Sequence, residues 1–141
     1  MAACARITGK DLYVEFDSVD LSGDFRGFDT TEEIGTVDLT AGDDTGKCYG
    51  TLHTDGKATF TSLYTSTAGA GAGSAAWAAV VPGTEGSLVW GERGTTTGYP
   101  RHHVTAFVIS RARTHPYDGA LESTVEFQFN DSSAVTDGLW T

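Results

Sequence analysis

The sequence predicts a mainly β domain with one short flanking helix and one long loop, and three observations point there. Period-two alternation recurs along the chain, most cleanly where Leu121, Val125, Phe127 and Phe129 interleave with Glu122, Thr124, Glu126 and Gln128. Thr and Gly are abundant, at 21 and 18 of 141 residues, and both favour strands and turns over helices. Only one segment carries a helix signature. A chain of this length makes one domain and buries roughly two thirds of its unfolded surface around a single core.

From the N-terminal side, Leu12, Val14 and Phe16 alternate with Tyr13, Glu15 and Asp17, and the beat continues through Val19 and Leu21. This predicts a hairpin or a long bent strand. Residues 22–47 mix Gly, Asp and Thr with scattered Phe25, Phe28, Ile34, Val37 and Leu39, and read as a long acidic loop carrying one short strand. Tyr49 to His53 and Ala58 to Thr65 read as two strands joined at Thr54-Asp55-Gly56-Lys57, because Asp-Gly between such runs is a strong turn signal. A Gly-Ala run at 68–73 then leads into the helix, which Ser74 caps and Pro82-Gly83 stops after Val81.

Gly86 to Gly91 forms a strand with Leu88 and Trp90 in phase. Tyr99 to Arg113 is a longer strand with apolar residues in both phases, which predicts cover on both of its faces. After the alternating strand at 121–129, residues 130–141 are polar until Leu139-Trp140 and read as a C-terminal arm.

The formal net charge is −10, and eleven acids against three bases fall within residues 1–46. Phosphate neutralisation needs clustered cations, so specific nucleic-acid binding is not expected. No stretch approaches the roughly 20 apolar residues of a spanning helix, and no membrane partner is expected. The N-terminus lacks a basic segment followed by an apolar run, which predicts no secretory signal and folding in a cytoplasm. Cys4 and Cys48 suit no zinc spacing and are expected to be reduced.

Motifs that carry chemistry are weak. Thr45-Gly46-Lys47 has Ala41 and Cys48 where a phosphate loop needs glycine and a hydroxyl. Gly69, Gly71 and Gly73 precede the helix without the spacing of a dinucleotide site. His102-His103 looks metal-like, but neighbours on a strand face opposite sides and a structural or surface role is favoured. Ser74 is explained by capping, and Glu122 with Glu126 by solvation on a wet strand face. No catalytic residue, metal site or cofactor is predicted.

The order of several short motifs resembles the major tail tube protein of long-tailed, siphovirus-like bacteriophages and related gene-transfer particles. They are Gly9-Lys10-Asp11-Leu12, the segment Glu32 to Thr40, Thr51 to Gly56 running into Ala58-Thr59-Phe60, the helix before Gly86-Ser87-Leu88, and Gly119 to Phe129. The resemblance covers about residues 8–130. It implies a β-sandwich or partial barrel that forms a ring-shaped β-barrel on oligomerisation, as stacked hexameric rings around a DNA channel. It also implies assembly in the host cytoplasm into a virion, with tape measure, tail terminator and distal tail proteins as partners.

On that reading Glu122, Thr124, Glu126 and Gln128 line the channel, where an acidic wall lets DNA slide without sticking. Phe25 and Phe28 are expected to reach a neighbouring subunit from a loop that is mobile in the monomer. Leu139 and Trp140 are expected to do so from the arm, Trp140 burying itself against an adjacent subunit rather than its own core. Two other readings stand beside this one: a capsid decoration or tail-completion protein, and a carbohydrate-binding β-sandwich using exposed aromatics such as Trp90 and Tyr99.

Overall fold

The computed structural model describes residues 9–22, 25–63, 79–131 and 134–141. After a 3-10 turn at Gly9–Asp11 come eight strands: β1 (Tyr13–Phe16), β2 (Val19–Asp20), β3 (Phe25–Asp38), β4 (Tyr49–Leu63), β5 (Glu85–Gly91), β6 (Pro100–Thr114), β7 (Glu122–Phe129) and β8 (Thr136–Leu139). All pairings are antiparallel, in the order β2-β1-β5-β6-β7-β4-β3, and β8 pairs β6 outside that path.

One face of this sheet holds the core. Alternation along the strands buries Val14 and Phe16, Leu88 and Trp90, Val104, Ala106 and Val108, Val125 and Phe127, and Ala58 and Phe60. β1 and β7 lie three strands apart, about 14 Å in a flat sheet, yet the rings of Phe16 and Phe127 stand 4.9 Å apart. Phe28 on β3 likewise meets Trp90 on β5 at 5.6 Å. A single sheet is therefore curled around its apolar face into a partial barrel. The β1–β2 connection is a tight turn in which Asp17 and Ser18 both have positive φ, 51° and 67°, as the twist of a two-residue hairpin demands.

Three expectations are corrected. Residues 22–47 are not mainly loop, because β3 runs fourteen residues along β4, from Phe25 opposite Ser62 to Asp38 opposite Tyr49. Its outer part, from Asp29 on, is exposed on both faces, so burial imposes no apolar rhythm; the strand signal lies in Thr30, Thr31, Ile34, Thr36 and Val37. Thr54-Asp55-Gly56-Lys57 is not a turn either, since β4 passes straight through it. A Cβ on Gly56 would lie 2.5 Å from the Phe129 ring, so this glycine marks a close approach between strands. Finally, β6 is covered on one face only: Val104, Ala106 and Val108 are buried, whereas Phe107 is half-buried and Ile109 exposed.

The helix expected before Pro82 lies largely outside the described residues. Its described end, at Ala79 and Val80, is a 3-10 turn that buries Val80 in the core. Among the described residues no helix is long and apolar enough to cross a membrane.

Candidate functional site

The second face of the sheet is polar, and the register shows how it is built. Asp29, Thr59, Glu126 and Ser110 form one row across β3, β4, β7 and β6; Gly27, Thr61, Thr124 and Ala112 form the next. Thr31, Lys57, Gln128, Phe107 and Glu85 form a third that reaches β5. The predicted alternation of β7 is thus realised: Ser123, Val125 and Phe127 are buried, and Glu122, Thr124, Glu126 and Gln128 share the opposite face. Leu121, expected with the core set, precedes β7 and is exposed.

Acids dominate this face. Across β3, β4, β7 and the start of β5, Asp29, Glu33, Asp55, Glu85, Glu122 and Glu126 stand against Lys57 and Arg26. Arg26 pairs with Glu122 at 2.9 Å, but both side chains are about half exposed, so the pair is worth little to stability. Glu33 and Asp55 sit directly opposite one another, a like-charge pairing that a strand ladder disfavours. The amide of Gln128 donates to Asp55 Oδ1 at 2.7 Å and to the Gly56 carbonyl at 2.9 Å, holding Asp55 in place. The Ser110 hydroxyl donates to Glu126 at 3.1 Å.

Ile34 continues the core-side face onto the β3–β4 ribbon, and Val37, Leu39 and Leu52 form an apolar strip on the ribbon's opposite side. Ile34, Val37, Leu39 and Leu52 are 50, 41, 58 and 56 % exposed. The bulge between Ile34 and Thr36 adds its extra residue to β4 and leaves the alternation of β3 unbroken, so Val37, opposite Gly50, and Leu52, lying over Gly35, stand on the side away from Ile34. Beyond the strip the tip is tied down by polar contacts: the Thr40 N–H donates to Asp38, the Ala41 N–H to Asp44 and the Leu39 N–H to the Cys48 carbonyl, each at 2.8 Å. The segment expected to be a long loop is thus a hydrogen-bonded ribbon, and two of its acids, Asp38 and Asp44, close turns. At its base a groove of about 320 Å³ opens between Glu32, Glu33, Asp55, Phe129, Asp131 and Val135.

The aromatic residues expected at a neighbour are engaged within the chain. Phe25 and Phe28 flank Phe60 at 6.4 Å each and are half-buried against the core. The arm is not free: Thr136–Leu139 pairs with β6, and Trp140 sits edge-on to Tyr13 at 5.7 Å with the Arg101 guanidinium 5.2 Å from its ring. Trp140 Nε1 is buried with no hydrogen-bond partner among the described residues. Trp140, expected to bury itself against an adjacent subunit rather than its own core, thus packs on Tyr13 and Arg101 of its own chain beside the β6–β8 pairing. Leu139 remains exposed.

His102 and His103 face opposite sides, as strand geometry requires. Among the described residues no three His, Cys, Asp or Glu side chains are grouped as metal ligands. His102 instead bridges two carboxylates, through Nδ1 to Asp137 and through Nε2 to Glu92 at 3.0 Å, while its ring stacks on Trp90. Nothing in the local sequence marks this pairing, because Glu92, His102 and Asp137 meet only through the sheet. Cys48 is exposed with a free thiol at the ribbon tip, and Cys4 lies outside the described residues.

No protein-family model and no curated protein matches the sequence. Solved structures match the fold. The SPP1 tail tube superposes with a TM-score of 0.71 at 14 % identity, over 95 % of this chain and 80 % of that one. A chain from the tail of an empty gene transfer agent particle gives 0.69 at 13 % identity, over 94 % and 99 %. A chain of the sheath–tube complex of PVC, an extracellular contractile injection system, gives 0.69 at 9 %, over 97 % and 94 %. At these identities the likeness is one of fold: this chain is built like subunits of a phage tail tube, a gene transfer agent tail and a contractile injection system.

Proposed function

We propose that the chain is a structural, non-enzymatic tail tube subunit that polymerises as stacked hexameric rings, forming a virion tail whose acidic lumen conducts DNA. The observation that carries this reading is the fold likeness, which spans nearly the whole chain and nearly the whole of two of the matched tail chains. The surface chemistry supports it. In the ring, the face bearing Glu122, Thr124, Glu126 and Gln128 lines the channel together with Asp29 and Lys57. Closing the sheets of six subunits into one barrel removes the exposed edge of β3, which in a lone chain invites uncontrolled pairing.

An acidic wall repels the phosphate backbone, so a passing genome accumulates no contacts. Val37, Leu39 and Leu52 cover the neighbouring subunit, with Ile34, Leu139, Phe25 and Phe28 offering their exposed parts to further contacts. Tape measure, tail terminator and distal tail proteins are the partners this role requires, and assembly takes place in the host cytoplasm. Electron microscopy of the purified chain at high concentration tests the reading. Tubes with a central channel and six-fold rings are expected, whereas persistent monomers or closed trimers contradict it.

A further inference from the structure

Strand β8 is held on the sheet by few contacts. Its four residues are all exposed, and its ladder to β6 runs only from Thr136 opposite His103 to Leu139 opposite Pro100. Behind it, Trp140 rests on Tyr13 with its indole N–H buried and unpaired, which weakens the attachment. Among the described residues one side-chain bond fastens the strand to the sheet beneath: Asp137 to His102.

His102 lies in a row that runs from Trp90 through its own ring to Asp137. Trp90 stacks on the imidazole at 5.6 Å and supplies no charge. Glu92, just beyond β5, takes Nε2, and Asp137 on β8 takes Nδ1. On the other face of β6 and β8, Arg101 lies over Trp140 and Arg93 over Tyr99, so both cations are engaged away from the imidazole. The geometry assigns a proton count. A neutral imidazole donates at one nitrogen only and turns a lone pair toward the second carboxylate, whereas the imidazolium donates to both.

We propose that His102 is a proton-controlled clip: protonated, it fastens the C-terminal strand and Trp140 to the sheet, and on losing the proton it lets them detach while the core stays folded. Burial alone lowers the His102 pKa, but the hydrogen bonds and charges of Asp137 and Glu92 outweigh it and raise the pKa above the ordinary histidine value. Glu92 stays beside the imidazole when the strand leaves, so only the part of the rise that Asp137 supplies couples to docking; it stabilises the docked strand fully below the pKa of the undocked state and fades as pH rises through the docked value. Within that window the docking constant falls by at most about tenfold per pH unit, and outside it the constant is flat. The clip rests on contacts within one chain and is independent of tube assembly.

The test is amide hydrogen exchange and imidazole titration by NMR on the full-length soluble chain between pH 5.5 and 8.5. The Trp140 N–H, which donates to the Tyr99 carbonyl, reports on docking, and the Val108 N–H reports on the core. After correction for intrinsic exchange, protection of Trp140 should fall several-fold per pH unit above about pH 6.5 while Val108 stays constant. In His102→Gln this pH dependence should vanish. In Asp137→Asn, an exposed position that leaves the core untouched, His102 should still titrate but Trp140 exchange should no longer follow it. A flat wild-type profile, or the same slope in either variant, overturns the clip.

Discussion

Replacing Leu39 and Leu52 together by Ser should abolish assembly without unfolding the chain. Both side chains are a little over half exposed, at 58 and 56 %, Leu39 lying over Gly50 and Leu52 over Gly35. Full burial of a leucine side chain contributes about 1.5–3 kcal/mol, so covering the exposed halves of two leucines at a subunit contact contributes about 2 kcal/mol. That is about 30-fold in each pairwise constant, and it compounds around a closed ring. Within the monomer the same change costs about 0.5 kcal/mol, as surface substitutions do. Sedimentation velocity and electron microscopy measure assembly, and thermal unfolding measures the monomer. Tubes forming at the wild-type threshold concentration would refute the argument, and so would a monomer destabilised as much as the interface.

Reversing Glu122 and Glu126 to Lys should leave tubes intact and slow DNA ejection, since the Arg26–Glu122 pair is exposed and contributes little; ejection kinetics from particles built with the variant decide. Gly56→Ala should destabilise by about 1–3 kcal/mol in urea, because the new Cβ meets the Phe129 ring at 2.5 Å and the Thr31 carbonyl at 2.9 Å, while Gly27→Ala, with open space, serves as the control. Ser62→Ala should cost about 1–3 kcal/mol by leaving Ser123 without its buried 2.8 Å partner, and the double alanine variant should cost less than the two single changes added. Truncation after Asp137 should lower monomer stability by about 2 kcal/mol, because Trp140 docks on Tyr13 and Arg101 of its own chain; an unchanged urea midpoint would contradict that docking.

What was legible in the sequence follows burial. β1 and β7 each bury one face and leave the other at least partly exposed, so Val14 and Phe16, and Val125 and Phe127, betray their strands by alternation, while in β5 Leu88 and Trp90 keep phase although Val89 between them is buried as well. The same contrast placed Glu122, Thr124, Glu126 and Gln128 together. The outer half of β3 has water on both sides, so no apolar beat marks it, and the acids that made it look like loop are ladder residues and turn caps. Asp55-Gly56 has the chemistry of a turn, but a ring from β7 crossing the glycine is a tertiary fact that two adjacent residues cannot announce. The His102–Asp137 bond and the docking of Trp140 on Tyr13 were hidden for the same reason: each joins segments 35 or more residues apart.

The account turns on which way the polar face points once copies assemble. A density map of the assembled tube, at a resolution that separates strands, measures this directly. The account predicts six copies per ring with Asp29, Glu126 and Gln128 facing the central channel and Leu39 and Leu52 buried against the adjacent subunit. A ring in which that face forms the outer wall, with the apolar strip in solvent, would contradict it.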